Sequence, residues 1–440
     1  MKPLAIEPDA LDLSKAGAQL FELARELYPI CRSITGDGIR ETLRTLGRQI
    51  PLEIHEVRSG TKVFDWEVPK EWNIRDAYIK DSSGRRIVDF QKHNLHVVNY
   101  SAPIHAEVPL EELQKHLHSL PKHPDWIPYR TSYYQESWGF CLTDRVRQSL
   151  TESKYEVCID STLAEGNLSY GELYLEGRSS DEVLISVHAC HPSLANDNLS
   201  GVVVATALAN LLQGCDRRYS YRFLFIPGTI GAITWLALNK ETAGRVRHGL
   251  VLTCIGDAGG FHYKKSRREV AQIDRVMAHV LRHCGEPFEV LDFSPYGYDE
   301  RQYCSPGFDL PVGCLMRSVW GTFPEYHTSA DNLDFIRPQQ LARSLRLCSA
   351  AVGVLEADRR YVNQNPFCEP QLGRRGLYRS TGGESISEQM NARLWVLNLS
   401  DGKNSLLDIA ERSGLPFRSI LDAAQVLEGG GLLAERVATS

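Results

Sequence analysis

The chain has 440 residues, 42% hydrophobic and 24% charged, with a formal net charge of −6. That is too long for one hydrophobic core and predicts two or three globular domains. The acidic balance, with no run rich in lysine or arginine, argues against nucleic acid or anionic membrane as a partner.

No apolar run approaches the roughly 18 to 20 residues needed to cross a bilayer. The N-terminal stretch MKPLAIEPDALDLSKAG lacks the apolar core of a signal peptide. The eleven cysteines are odd in number and scattered. They predict free thiols in a reducing cytoplasm and no disulfide framework.

In chain order, Leu20, Phe21, Leu23, Ala24 and Leu27 recur at helical spacing. A turn at Thr35–Gly38 then leads into a second helix from about Ile39 to Arg48. From Glu53 to Phe140 short β-type runs (DAYIKD, RRIVDF, LHVVNYS) are broken by Asp, Ser, Gly and Pro, which predicts an inserted β-rich unit.

Between Tyr155 and Leu355 apolar strands alternate with amphipathic helices. DEVLISVHA, YRFLFIP, GLVLTCIGD and LPVGCLMRS read as strands; GVVVATALANLLQ, GAITWLALN, RREVAQIDRVMAHVLRHC and PQQLARSLRLCSAAVGVLEA read as helices. This order predicts an α/β domain whose mainly parallel sheet is covered by helices on both faces. A Pro/Gly/Arg-rich linker follows Asn363. The last fifty residues read helix, helix, Gly turn, helix, hairpin, the order of a winged helix. The predicted organisation is therefore 1–52 with 146–365, an insert at 53–145 and a winged helix at 380–440.

Ligands of such sheets sit at the carboxyl ends of the strands. The first of these strands ends at His188, followed by His191, and Asp197 opens the next helix. The strand GLVLTCIG ends at Asp257, and Tyr326-His327 follows the last strand after a loop. Imidazole and carboxylate together suit zinc. Taken singly, Asp197 reads more readily as a helix cap and Asp257 as a turn residue; the combination points to a metal centre.

The stretches CRSITGDGIRETL, SGTKVFDWEVPKEWNIRDAYI, PYRTSYYQESWGFC, HACHPSLANDNLSG and PEYHTSADNLDF resemble a bacterial aminopeptidase-like family often labelled polysaccharide-biosynthesis proteins. That family has an inserted domain of unknown function and a C-terminal winged helix, and it is related to the co-catalytic zinc aminopeptidases of the leucyl-aminopeptidase and glutamate-carboxypeptidase type. The resemblance covers nearly the whole chain. It implies a zinc-dependent hydrolase of an amide bond in a small peptide or aminoacyl compound, and a homo-oligomer.

By position, the resemblance implies that His188 and Asp257 hold one metal and that Asp197 bridges towards His327. Thr229 stands where a second-metal glutamate belongs, so one zinc is expected rather than two, with His191 either a substitute ligand or a packing residue. Gly228 stands where those peptidases place the glutamate that exchanges protons with water and leaving group. Glu325, two residues before His327, is the nearest surrogate by sequence. The missing carboxylate keeps a second reading open, a binding or scaffold protein that retains the pocket. Arg130 and Tyr134 in the insert, and Asp299, Arg301 and Tyr326, are candidates for gripping substrate; the bland alternative is interface packing and ion pairing.

Overall fold

The computed structural model describes residues 11–377 and 387–436. The chain forms two compact units. One runs up to Asp274 and includes Pro287–Arg346; the other comprises Arg275–Glu286 and the residues from Leu347 onward.

The first unit is built on an eight-stranded mixed sheet. Its strands lie in the order Glu53–Arg58, Asn167–Leu175, Ser220–Ile226, Glu182–His188, Val246–Leu252, Val312–Met316, Phe261–Lys264, Phe288–Leu291. The central pairings are parallel: Glu182–His188 runs alongside both Ser220–Ile226 and Val246–Leu252, and the latter alongside Val312–Met316. Every residue of Glu182–His188 and of Ser220–Ile226 is buried. This explains why apolar residues do not alternate with exposed polar ones along them, since a strand covered on both faces has no solvent side. The mainly parallel α/β sheet anticipated from the sequence is thus present.

The helix Leu13–Leu27 starts where the Asp12 side chain accepts a hydrogen bond from Lys15 N at 3.0 Å, satisfying an otherwise orphan donor. Its Gly17 sits against the backbone of Pro338, where a Cβ would come within 2.5 Å of the carbonyl oxygen.

A second, antiparallel sheet of the same unit has the order Arg86–Asp89, Glu71–Lys80, Lys154–Ala164, Ile104–Pro109. Its core gathers Ala77, Ile79, Val88, Val157, Ile159 and Phe140. The chain passes between the two sheets at both ends of the insert: Glu53–Arg58 belongs to the large sheet and Lys154–Ala164 to the small one. The run LHVVNYS, expected as a strand, is instead a short 3₁₀ turn at Asn94–His96 followed by irregular backbone. Its polar groups find scattered partners: Val98 N donates to Gly139 O, Asn99 N to Arg130 O, and Ser101 Oγ to Val98 O. With those bonds made, burial needs no sheet ladder.

The second unit carries helices Glu388–Leu399, Leu406–Ser413 and Phe417–Gly429 with a three-stranded sheet. Leu406–Ser413 begins in a capping box of Ser405 and Asp408 and ends at Gly414, whose φ of 72° suits glycine. The final strand, Leu433–Glu435, pairs with Arg360–Asn363 rather than closing a hairpin of its own. Within this unit Arg275 is paired with Asp408 and Glu411, and Arg418 with Asp422 at 2.8 Å. The linker residues 378–386 and the first residues of the predicted winged helix lie outside the described residues. Among the described residues no helix is long and apolar enough to cross a membrane, and none of the cysteines is joined in a disulfide.

Candidate metal centre

His188 is the last residue of a fully buried strand, so its imidazole is delivered at the carboxyl edge of the sheet with 1% exposure. Asp197 lies in the segment Ala195–Ser200 that precedes the helix Gly201–Gln213. At Asp197 and Asn198 the backbone leaves helical geometry. Two devices hold this bend. The buried Asp331 carboxylate accepts Asn196 N at 2.6 Å and Asp197 N at 2.9 Å. The Asn198 side chain donates to Leu252 O at 2.9 Å and accepts from Gly201 N at 3.1 Å. Two consecutive backbone N–H groups that the bend would otherwise leave unpaired in the interior are thus satisfied by one side chain.

The Asp197 carboxylate is the meeting point. His188 Nε2 lies 2.9 Å from its Oδ1, and His327 Nε2 lies 2.9 Å from its Oδ2. The His191 ring is 4.8 Å from that of His188 and 5.3 Å from that of His327. One ligand atom each from His188, His191 and Asp197 lie within 4.8 Å of one another. Around a tetrahedral zinc with bonds of about 2.0 Å, ligand atoms stand about 3.3 Å apart. The imidazoles of His188 and His191 and the Asp197 carboxylate offer the donor types such an ion takes, with His327 on the far oxygen of Asp197.

Burial alone would raise the Asp197 pKa. The facing imidazoles of His191 and His188, with the hydrogen bonds from His188 and His327, outweigh burial and hold the carboxyl well below its ordinary value. Burial pushes the His191 imidazole well below its ordinary value, which leaves it neutral, the form that binds metals.

The insert supplies part of this site. Tyr129 N donates to His327 O at 2.7 Å, and Ser329 N to Ile127 O at 2.8 Å, so the insert pairs with the His327 loop. The Tyr129 ring meets both His191 and His327 edge-on, at 5.0 and 5.1 Å. Tyr326 stacks on His327 at 4.0 Å. Beneath His191, the buried Arg32 donates from Nε to His191 O at 2.9 Å and from Nη1 to Leu27 O at 2.6 Å.

The structure does not bring Asp257 into this group. Its Oδ1 accepts Gly259 N and Ser318 Oγ, each at 2.7 Å, and its Oδ2 accepts Asn196 Nδ2 at 2.8 Å. It therefore fastens the residue next to Asp197. From that strand end it is Thr253 that approaches Asp197, with Oγ1 at 3.5 Å from Oδ1.

Asp299 is buried and accepts Thr229 N at 2.6 Å through Oδ1. Its Oδ2 is buried with no hydrogen-bond partner among the described residues, and burial pushes its pKa up to about 7. Glu325 offers its carbonyl to Thr328 N and Oγ1. Arg130 and Arg301 are exposed. Tyr134 is 49% exposed and meets Trp66 edge-on at 5.2 Å.

Gly228 has no room for a side chain. A Cβ there would lie 2.5 Å from Cε1 of Tyr298 and closer still to its Cζ and hydroxyl oxygen. The Tyr298 ring rests on that of His188, centroids 4.0 Å apart.

Thr253 and Arg32 are not singled out by the sequence, whereas Tyr298 and Asp331 fall in the candidate runs Tyr298–Tyr303 and Tyr326–Asp331 without a role of their own. Thr253 carried a legible signal, since it ends the apolar run LVLT as His188 ends LISVH. The other three act through contacts distant in the chain.

A family profile described as a domain of unknown function, DUF4910, matches residues 21–358, and a winged helix-turn-helix profile matches 359–435. A Clostridium acetobutylicum protein, provisionally named a polysaccharide biosynthesis protein with an aminopeptidase-like domain, is 52% identical over 94% of this chain and 95% of its own length. A crystal structure from the same organism, given a provisional peptidase name, superposes with a TM-score of 0.93 at 50% identity, covering 97% of this chain and 98% of that one. The zinc aminopeptidase BSAP of Bacillus subtilis matches with a TM-score of 0.55 at 15% identity, over 77% of this chain and 94% of its own, a likeness of fold. The chain thus belongs to the family defined by a DUF4910 domain followed by a winged helix-turn-helix, and its larger part has the fold of the zinc aminopeptidases.

Proposed function

We propose that the chain is a zinc-dependent hydrolase of an amide bond, acting on a small peptide or aminoacyl compound. The observation that carries this reading is the meeting of His188 and His327 on opposite oxygens of Asp197, with His191 alongside. His188, Asp197 and His327, with His191 in reserve, would hold one ion. When bound, zinc supplies Lewis-acid chemistry, polarising a carbonyl and lowering the pKa of water. The chain's own residues orient and shield. Asp331 and Asn198 fix Asp197, Arg32 fixes the His191 backbone, and the rings of Tyr129 and Tyr326 restrict approach to His327.

A second reading, a binding protein retaining this pocket, is favoured by Gly228, which offers no carboxylate beside His188. Loss of a general base costs about 10²- to 10⁴-fold in rate. Purified full-length protein, grown with zinc, is expected to carry close to one equivalent by elemental analysis and to cleave aminoacyl anilides or dipeptides slowly, with a chelator abolishing cleavage. Zinc below about a tenth of an equivalent would refute the metal reading. Stoichiometric zinc with no cleavage across the panel would leave the binding protein.

A further inference from the structure

We infer that Tyr298 determines the reactivity of this centre: its phenol fills the volume that a side chain from position 228 would occupy beside the His188 imidazole. The inference rests on the metal reading for its consequence in rate, but on packing alone for its geometry.

Three observations carry it. The strand Ser220–Ile226 runs parallel to the His188 strand, with Ile226 opposite His188, so position 228 emerges at the same rim two residues later. The direction of a side chain there is set by the backbone, and along it lie Cε1, Cζ and the hydroxyl of Tyr298. That ring in turn covers His188 at 4.0 Å, and its hydroxyl reaches 4.0 Å from Cys190 Sγ. Gly228 N is itself bonded to that sulfur at 3.2 Å, and Thr229 N to Asp299, the residue after Tyr298. The backbone at 228 is therefore held from both sides and cannot swing away to make room.

The consequence is an exchange. A glycine at 228 and a tyrosine at 298 fit together; a larger residue at 228 requires a smaller one at 298. At the face of His188 the natural pair presents a hydroxyl, a hydrogen-bond donor and acceptor. A pair of glutamate and serine would present a carboxylate in the same space, and a carboxylate can take a proton at neutral pH where a phenol cannot.

A mutant cycle on the full-length chain tests both halves, using G228A, G228E, Y298S, G228A/Y298S and G228E/Y298S. Thermal unfolding is expected to show G228A lowered by about 1 to 4 °C through overpacking, with G228A/Y298S no lower than Y298S. Cleavage of leucyl and alanyl p-nitroanilides with added zinc is expected to be about 100-fold faster or more in G228E/Y298S than in the natural chain. Natural melting temperature in G228A would overturn the packing. A G228E/Y298S variant that holds zinc yet cleaves no faster than Y298S would overturn the role in reactivity. The stability arm needs no metal, so a natural chain that purifies without zinc would count against the metal reading while the exchange was still decided.

Discussion

Replacing Asp299 by Asn should change how stability depends on pH, and the structure sets the size of the change. Asp299 is fully buried; its Oδ1 accepts Thr229 N, and its Oδ2 has no hydrogen-bond partner among the described residues. Burial lifts its pKa from 3.8 to about 7. In the unfolded chain the carboxyl loses its proton near pH 3.8, whereas the folded protein keeps it until about pH 7. The folded state therefore binds more protons across that window, and this group's contribution is fully present below about pH 4 and lost as pH rises to 7.

The loss is at most about 4 kcal/mol over the whole window, since each pH unit is worth about 1.4 kcal/mol. Between pH 5 and pH 7 it is at most about 2.7 kcal/mol by the same arithmetic. Asparagine keeps the acceptor for Thr229 N and has no charge to bury. Its NH₂ finds no acceptor where Oδ2 stood, a pH-independent cost of about 1–3 kcal/mol. The slope and not the offset carries the test. Urea unfolding of both proteins, stripped of metal, at half-unit steps from pH 5 to 8 is expected to show Asp299→Asn gaining about 2 kcal/mol on the natural chain by pH 7 and levelling off above. A constant difference across that range would refute the claim that the carboxyl is buried and unpaired.

Three further substitutions separate ligands from supports. Asp197→Asn should leave less than about a tenth of an equivalent of zinc by elemental analysis, because one of its two oxygens no longer accepts. Asp257→Asn should keep its zinc while losing about 1–3 kcal/mol in chemical unfolding, since its carboxylate serves Gly259 N, Ser318 Oγ and Asn196 Nδ2; loss of zinc with unchanged stability would make it a ligand after all. Asp331→Asn should weaken zinc binding by about 10- to 100-fold in competition titrations, as other groups that orient a ligand do. Unchanged affinity would show that the bend at Asp197 holds itself.

The fold was readable because its signals are local. Mostly apolar strands of seven residues, alternating with segments of helical periodicity, are best satisfied by a covered, mainly parallel sheet. The run around Val97 and Val98 misled for the complementary reason. It is as apolar and buried as a strand, but its backbone bonds go singly to Gly139 and Arg130, partners that composition cannot reveal.

The chain by itself determined which strand ends carry imidazole and carboxylate, because the side chain that ends a buried strand must emerge at the rim. Only the tertiary structure decided which of them meet. His188 and Asp197 are nine residues apart and His327 lies 130 further on, yet both imidazoles meet the Asp197 carboxylate, whereas Asp257, equally well placed in the sequence, spends its oxygens on Ser318, Gly259 and Asn196. The same holds for Gly228. The missing side chain is visible in the sequence, but the tyrosine that fills its place comes from 70 residues further along, and a filled volume is a property of packing between distant segments rather than of any one of them.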